Sequence, residues 1–191
     1  MTAKFATLLA LAGAVALSAS CGDFVRQGRS PVMLVVDSLV ATDQDGNHTL
    51  RSDVLTNGSI LNDMATASLR IVLKDQGSLG VSAVPSDINR VIVNRYRVEY
   101  TRSDGHNVAG VDVPYSFDST VTQTITADGD DVTLEIVRHS AKAEAPLAAL
   151  SPSRNIISTI ATVTFYGHDL AGNDISASAT MGIDFADFAD N

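Results

Sequence analysis

The residues of this sequence best suited to chemistry are the oxygen-bearing side chains of the stretch "DQDGNH". Asp43, Asp45 and Asn47 stand at alternate positions, so three side-chain oxygens could face one Ca²⁺ ion. The twelve-residue EF-hand loop is excluded, because counting from Asp43 puts His48 where that loop needs glycine and Val54 at its last position. A solvated Asp-Gly turn explains the same residues and is the simpler interpretation. The three residues remain the candidate metal ligands, and Ca²⁺ is the candidate cofactor.

A second acidic stretch, "ADGDD", invites the same two interpretations. Asp128, Asp130 and Asp131 flank Gly129 between two segments with strand-like patterns. Aspartate supports turns by accepting backbone hydrogen bonds, and glycine adopts the positive φ that tight turns require. We therefore interpret this stretch as a turn.

Hydrolytic catalysis requires a base beside a nucleophile, and the sequence offers four histidines as bases: His48, His106, His139 and His168. None lies in a G-x-S-x-G or H-E-x-x-H motif, and the sequence contains no Gly-rich phosphate loop or C-x-x-C pair. His168 and Asp169 are adjacent on a predicted strand, so their side chains point to opposite faces. The sequence predicts that the protein is not an enzyme.

Aromatic residues suggest a second kind of site, in the stretch "VDVPYSFD" at 111–118. Tyr115, Phe117 and Tyr166 are the aromatic residues expected outside the core, and exposed rings can stack on sugars. The alternative is a proline-fixed loop whose aromatic rings cover an edge of the fold. We favour that alternative and keep glycan binding as the competing hypothesis.

Alternating apolar and polar residues indicate the elements that carry these candidates. From 174 to 186, six apolar residues fall on one face and polar residues on the other, which is typical of a half-buried strand. A similar segment at 161–166 precedes it, and Gly172 and Asn173 suit a tight connection between the two. The pair predicts an antiparallel hairpin.

The same pattern predicts strands at 32–41, 65–75, 90–102, 119–127 and 131–140. Tyr96, Val98 and Tyr100 are expected to face the core from one strand, and Val132, Leu134 and Ile136 from another. A short helical turn is expected within 141–150, and a long connection from 43 to 64 with a small hairpin at Asn57-Gly58. Seven strands without helical periodicity predict an all-β, antiparallel sandwich of one domain.

The stretch "TVTFYGHDLAGNDISASATMGIDF" is similar to the final strand pair of bacterial immunoglobulin-like domains, whose hallmark is a D-x-A-G-N turn before an alternating strand. The resemblance covers roughly residues 157–186. It implies an immunoglobulin-like or fibronectin III-like β-sandwich for residues 32–191 and says nothing of function. The paired cysteines and tryptophan of antibody domains are absent from the sequence.

The N-terminal region contains the single cysteine of the chain, Cys21, whose thiol can be modified covalently. Lys4 precedes an apolar run from Phe5 to Leu17, which is too short for a membrane-spanning helix and is typical of a secretory signal peptide. An exported, unpaired thiol is prone to mispairing unless its sulfur is consumed.

The segment before Cys21 resembles the lipobox of bacterial lipoproteins. The resemblance implies cleavage of a signal peptide at 1–20, lipid attachment to Cys21 and a tether at 21–31. Gly22 follows the cysteine, and the sorting rules of that family then favour the outer membrane. Cleavage by the general signal peptidase is the alternative, because Ser18 and Ser20 satisfy its small-x-small rule. In this chain Ser18 stands where the family usually has leucine.

The net charge of the protein limits the kinds of partner that it can bind. The leader's only charged residue is Lys4, so its removal leaves 12 basic and 22 acidic residues and changes the formal net charge from −9 to −10. Such a surface repels nucleic acid. The sequence therefore predicts a lipid-anchored protein of the bacterial cell envelope that binds or scaffolds an envelope protein. The alternative is a calcium- or glycan-binding module.

Overall fold

The computed structural model describes residues 28–41, 49–75, 77, 83–151 and 153–188. The described chain is mostly β-structure. Its strands are β1 (Val32–Ala41), β2 (Thr49–Asp53), β3 (Asp63–Leu73), β4 (Val91–Thr101), β5 (Phe117–Ile125), β6 (Asp130–Val137), β7 (Ile157–Asp169) and β8 (Asp174–Ala186). A short helix, α1 (His139–Lys142), follows β6, and 3₁₀ turns span Asp87–Asn89 and Leu147–Ala149.

The strands form two sheets. One has three strands in the order β1-β3-β6, and the other has five in the order β2-β8-β7-β4-β5. All neighbours are antiparallel except β2 and β8, which are parallel. Buried side chains of both sheets belong to one hydrophobic cluster, so the all-β, two-sheet architecture predicted from the alternation is confirmed.

Two details of the prediction were wrong. The described residues contain eight strands rather than seven, because β2 lies inside the predicted 43–64 connection, and its parallel pairing departs from an entirely antiparallel sandwich. Strand β2 has only five residues, and its buried face combines Leu50 with a polar residue, Ser52. Such a short, partly polar strand gives little alternation to detect.

The small hairpin at Asn57-Gly58 is confirmed. The backbone N–H groups of Thr56 and Ser59 each donate to the other residue's carbonyl, at 2.8 and 2.9 Å. Asn57 and Gly58 have φ angles of 49° and 75°, which suits the type I′ turn favoured by an Asn-Gly pair.

Four strands begin or end one to three residues from their predicted limits: β3 at 63–73, β4 at 91–101, β5 at 117–125 and β6 at 130–137. The last difference arises because α1 begins at His139, inside the predicted strand 131–140. The helical turn expected within 141–150 is present as the end of α1 and the 3₁₀ turn at 147–149.

Two tyrosines of β4 join the sheets across the core. The hydroxyl of Tyr100 donates to the carbonyl of Ile136 at 2.6 Å, and that of Tyr96 accepts from the backbone N–H of Glu135 at 3.1 Å. Ile136 is a bulge on β6, because Asp63 of β3 pairs with Val137 and the next residue pairs with Glu135. Burial raises the pKa of Tyr100, so its hydroxyl stays a neutral donor.

The β7–β8 hairpin is confirmed, and Asp169 organises its turn. The Asp169 carboxylate accepts the backbone N–H groups of Ala171 and Asn173, both at 2.9 Å, and the Asn173 side-chain amide at 2.8 Å. Burial opposes the charge, but hydrogen bonds from Asn173, Ser30 and Ala171 hold the pKa of Asp169 below its ordinary value. The ionised Asp169 thus stabilises the "DLAGN" turn together with the backbone hydrogen bonds between Asp169 and both Gly172 and Asn173.

Candidate binding site

The loop between β4 and β5 presents apolar side chains to solvent. Val108, Val111 and Tyr115 are 60%, 67% and 59% exposed. We call these three residues the apolar loop surface. Exposed apolar groups that lie close together commonly mark a contact site.

Backbone hydrogen bonds hold this loop in one shape. The carbonyl of Val108 accepts from the N–H groups of Val111 and Asp112, at 3.1 and 2.8 Å, and Gly110 donates to the carbonyl of Val113 at 2.8 Å. The carboxylate of Asp112 in turn accepts the N–H of Val108 at 2.9 Å. Because these hydrogen bonds all join residues within the segment 108–113, the exposed side chains project from an ordered backbone.

The ring of Tyr115 lies directly against Gly110. A Cβ atom placed on Gly110 would stand 2.3 Å from the tyrosine hydroxyl oxygen and 2.5 Å from the ring carbon that bears it. Only glycine allows this approach, and the φ of 76° at Gly110 also favours glycine. The exposed ring of Tyr115 therefore packs against a position that must be glycine.

Beside Tyr115 is an open cleft of about 160 Å³, between the start of β5 and helix α1. The lining residues are Pro114, Tyr115, Ser116, Phe117, Arg138, Ser140, Ala141, Glu144 and Ala145. Its walls thus combine two aromatic rings with hydroxyl groups, one guanidinium and one carboxylate.

Arg138 lines the cleft and is held by contacts with its neighbours. Its guanidinium carbon lies 3.9 Å from the centroid of the Phe117 ring, and an Nη atom donates to the carbonyl of Asp118 at 2.9 Å. Phe117 in turn meets Tyr96 of the core edge-on, with ring centroids 6.3 Å apart. The aromatic wall is therefore anchored in the sandwich.

Of the three aromatic residues expected outside the core, only Tyr115 is exposed. Phe117 is half-buried against the core, and the guanidinium of Arg95 lies 3.9 Å from the ring centroid of Tyr166. In the stretch 111–118, Phe117 therefore covers the sandwich and Tyr115 faces solvent. Glycan binding by this stretch stays a prediction. Sequence patterns did not single out Arg138 or Glu144, because neither belongs to a motif.

The candidate metal ligands Asp43, Asp45 and Asn47 lie outside the described residues. Within the described residues, no group of three or more His, Cys, Asp or Glu side chains is placed to hold a metal ion. In the second acidic stretch, Asp130 accepts from the backbone and side chain of Thr126, at 2.7 and 3.0 Å, and Asp131 accepts from Ser68 at 2.6 Å. The contacts of Asp130 with Thr126 are those of the predicted turn, whereas Ser68 and Asp131 are partners in the β3–β6 pairing.

The described histidines lie in separate places. The Nδ1 atom of His106 is 3.5 Å from an oxygen of Asp104, and that of His139 is 2.9 Å from the side-chain oxygen of Asn62. His168 is half-exposed, whereas Asp169 is buried, as expected for neighbours on opposite faces of a strand.

A buried ion pair that the sequence patterns did not indicate lies at the other end of α1. The ammonium of Lys142 contacts an oxygen of Asp63 at 2.9 Å and the carbonyl of Asp53 at 2.7 Å. The second carboxylate oxygen of Asp63 accepts from the hydroxyl of Ser52 at 2.5 Å. These contacts join α1 to β2 and β3 and position the helix that forms one wall of the cleft.

No protein-family model matches the chain, and no curated protein matches it. Among the residues that the structure describes, no helix is long and apolar enough to cross a membrane. Cys21 lies outside those residues.

Proposed function

We propose that this protein is a lipid-anchored protein of the bacterial cell envelope whose immunoglobulin-like β-sandwich binds another envelope protein without catalysing a reaction. The observation that carries this proposal is the apolar loop surface. It exposes two valines and a tyrosine on a hydrogen-bonded loop at the surface of a rigid two-sheet body.

Such a surface suits protein recognition for a physical reason. Burying exposed valine and tyrosine side chains removes apolar area from water and stabilises a complex. A loop that is already ordered loses little conformational entropy when a partner binds. Tyrosine is also among the residues that most often dominate binding free energy at interfaces.

The proposed attachment and fold class are supported by two sequence features. Cys21 follows a short apolar run and small residues, which is typical of lipidated exported proteins, and a diacylated cysteine would hold the domain stably at a membrane. The "DLAGN" turn and the long β7–β8 hairpin support the immunoglobulin-like assignment. By the lipoprotein sorting rule, Gly22 favours the outer membrane.

The experiment compares two substitutions of exposed apolar residues in the full-length protein expressed in its own host. Val111→Asp places a charge in the apolar loop surface, whereas Ile88→Asp places one at a residue that is 78% exposed elsewhere. After cross-linking in intact cells, we expect one defined protein adduct that Val111→Asp abolishes and Ile88→Asp preserves. An adduct pattern that is identical in both variants and the wild type contradicts the proposal.

A further inference from the structure

We propose that the cleft beside Tyr115 is a binding site for a single pyranose ring of a neutral glycan. The sugar-binding site proposed here differs from the protein-binding surface formed by Val108 and Val111, although Tyr115 borders both the cleft and that surface.

The first argument is the mixture of groups in the cleft. A pyranose has apolar C–H faces and a rim of hydroxyl groups, so it needs an aromatic surface beside donors and acceptors. Tyr115 supplies an exposed aromatic ring, and Ser140 and Glu144 supply hydroxyl and carboxylate oxygens along the lining. The hydroxyl of Ser116 accepts from the guanidinium of Arg97 at 3.0 Å. A few polar groups that converge on an apolar surface are typical of small-molecule sites.

The second argument is that the cleft is ordered before any ligand binds. The Tyr115 ring packs against Gly110, and Phe117, the carbonyl of Asp118 and the carboxylate of Glu135 surround the Arg138 guanidinium. A guanidinium has five N–H donors; one Nη–H bonds to Asp118, and Nε lies 3.8 Å from a carboxylate oxygen of Glu135, which leaves further N–H groups for ligand hydroxyl groups. Preordered groups favour binding because little conformational freedom is lost.

The third argument is charge. Arg138 and Glu144 contribute opposite charges to the lining, so the cleft has no net charge of its own. The chain around it is strongly acidic, with a formal net charge of −9. Acidic sugars would be repelled by that field, whereas neutral sugars would not.

The fourth argument is size. At about 160 Å³ the cleft is smaller than the roughly 300–1,000 Å³ typical of sites for drug-sized ligands. It therefore suits one ring, and we expect a free monosaccharide to bind weakly, with a Kd of about 1 mM.

The test is a titration of the isotope-labelled domain with glucose, galactose, mannose and N-acetylglucosamine, followed by NMR. We expect at least one of these sugars to shift amide resonances within 115–117 and 138–145. Tyr115→Ala should weaken that binding about tenfold or more, whereas Tyr115→Phe should retain it because the ring remains.

Two further variants separate the cleft from general surface effects. Glu144→Ala removes an exposed carboxylate from the cleft and should weaken sugar binding, and Asp187→Ala removes an exposed carboxylate elsewhere and should not. Gly110→Ala should weaken binding by displacing the Tyr115 ring. Retention of sugar binding by both Tyr115→Ala and Glu144→Ala overturns the assignment of the site.

If none of the four sugars shifts these resonances, the glycan proposal is wrong. The protein-binding proposal is judged separately, by the Val111→Asp cross-linking result. Loss of the protein adduct in Val111→Asp without any sugar response would leave protein binding as the function of this end of the molecule.

Discussion

Lys142 occupies the most unusual environment of the charged residues described. Its side chain is 1% exposed, although lysine is rarely buried without a partner. The Asp63 carboxylate and the Asp53 carbonyl supply that partner, and Ser52 completes the hydrogen bonding of Asp63. The ion pair thus fixes α1 against β2 and β3 by contacts that are satisfied only when all three elements are in place.

Removing the lysine should leave a buried carboxylate without its counter-charge. We expect Lys142→Met to lower the free energy of unfolding by about 3 kcal/mol or more. Arg70→Met is the control, because Arg70 and Asp37 form an exposed pair with side chains 48% and 43% accessible, and we expect a change below about 1 kcal/mol. Urea unfolding followed by circular dichroism measures both. Equal changes in the two variants would contradict the assigned role of Lys142.

The same pair predicts a pH dependence. Burial raises the pKa of Asp63 above its ordinary value of 3.8, and the attraction of Lys142 offsets only part of that rise. The folded state therefore binds this proton more tightly than the unfolded state does. The corresponding stability is present below pH 3.8 and is lost as the pH rises through the raised pKa.

An NMR titration of the Asp63 side-chain carboxyl carbon measures this directly. We expect its midpoint to lie above 3.8 in the wild type and higher still in Lys142→Met, because the favourable charge has been removed. A midpoint below 3.8 in the wild type would show that the ion pair outweighs burial.

At the scale of the strands, one glycine determines how closely β7 approaches β4. Gly167 pairs with Val93, and Asn94 forms a bulge before the register resumes at Arg95 and Tyr166. A Cβ atom on Gly167 would lie 2.2 Å from the carbonyl oxygen of Ile92. Backbone atoms cannot move aside as a flexible side chain can, so the bulge depends on glycine at this position.

Alanine at position 167 should therefore force the two strands apart. We expect Gly167→Ala to destabilise the fold by about 2 kcal/mol, within the usual range for overpacking. Gly182→Ala is the matched control, because its Cβ would meet the hydroxyl of Thr49 at 3.1 Å, at the end of a side chain that can rotate. Urea unfolding of both variants tests this, and a larger loss for Gly182→Ala would refute the packing argument.

The two sheets are also joined at the level of elements by the hydrogen bond from Tyr100 to the bulge on β6. Tyr100→Phe removes a donor to the buried carbonyl of Ile136, so we expect a loss of about 1–3 kcal/mol. Tyr166→Phe alters a half-buried ring on the outer face and should change stability by less than about 0.5 kcal/mol. Thermal unfolding compares the two variants. Indistinguishable midpoints would show that the Tyr100 hydrogen bond does not contribute to stability.

At the scale of the whole molecule, the proposed anchor determines where the sandwich acts. The ten tether residues after Cys21, 22–31, would span at most about 36 Å when fully extended, so the folded body would stay close to the membrane. The apolar loop surface and the cleft would then meet partners within the envelope. In this proposal the lipid would determine the position of the domain, and the loop would determine what it recognises.

Replacement of the proposed lipid attachment residue tests this arrangement. We expect Cys21→Ala to move the protein from the membrane fraction to the soluble fraction, and mass spectrometry of the wild type to find an acylated N-terminus at residue 21. Ser20→Ala is the control, because it keeps a small residue before the cysteine and should stay in the membrane fraction. An unmodified Cys21 in the purified wild type would exclude the anchor.

Much of the architecture was predictable from local patterns. The alternation in 174–186, the inward positions of Tyr96, Val98 and Tyr100, and the Asn57-Gly58 hairpin all depend on residues close together in the chain. A strand's faces are set by period-two spacing and a turn by its own few residues, so the sequence by itself determines them.

Other features were decided only by the tertiary structure. Lys142 and Asp63 are 79 residues apart in the sequence. The guanidinium of Arg138, which follows β6, lies over the ring of Phe117 in β5. Strand β2 pairs in parallel with β8. Each depends on which elements become neighbours and on what they bury together. The periodicity within a strand indicates which face is buried, but it does not indicate which residues pack against that face. For this reason the cleft and the ion pair could be identified only from the tertiary structure.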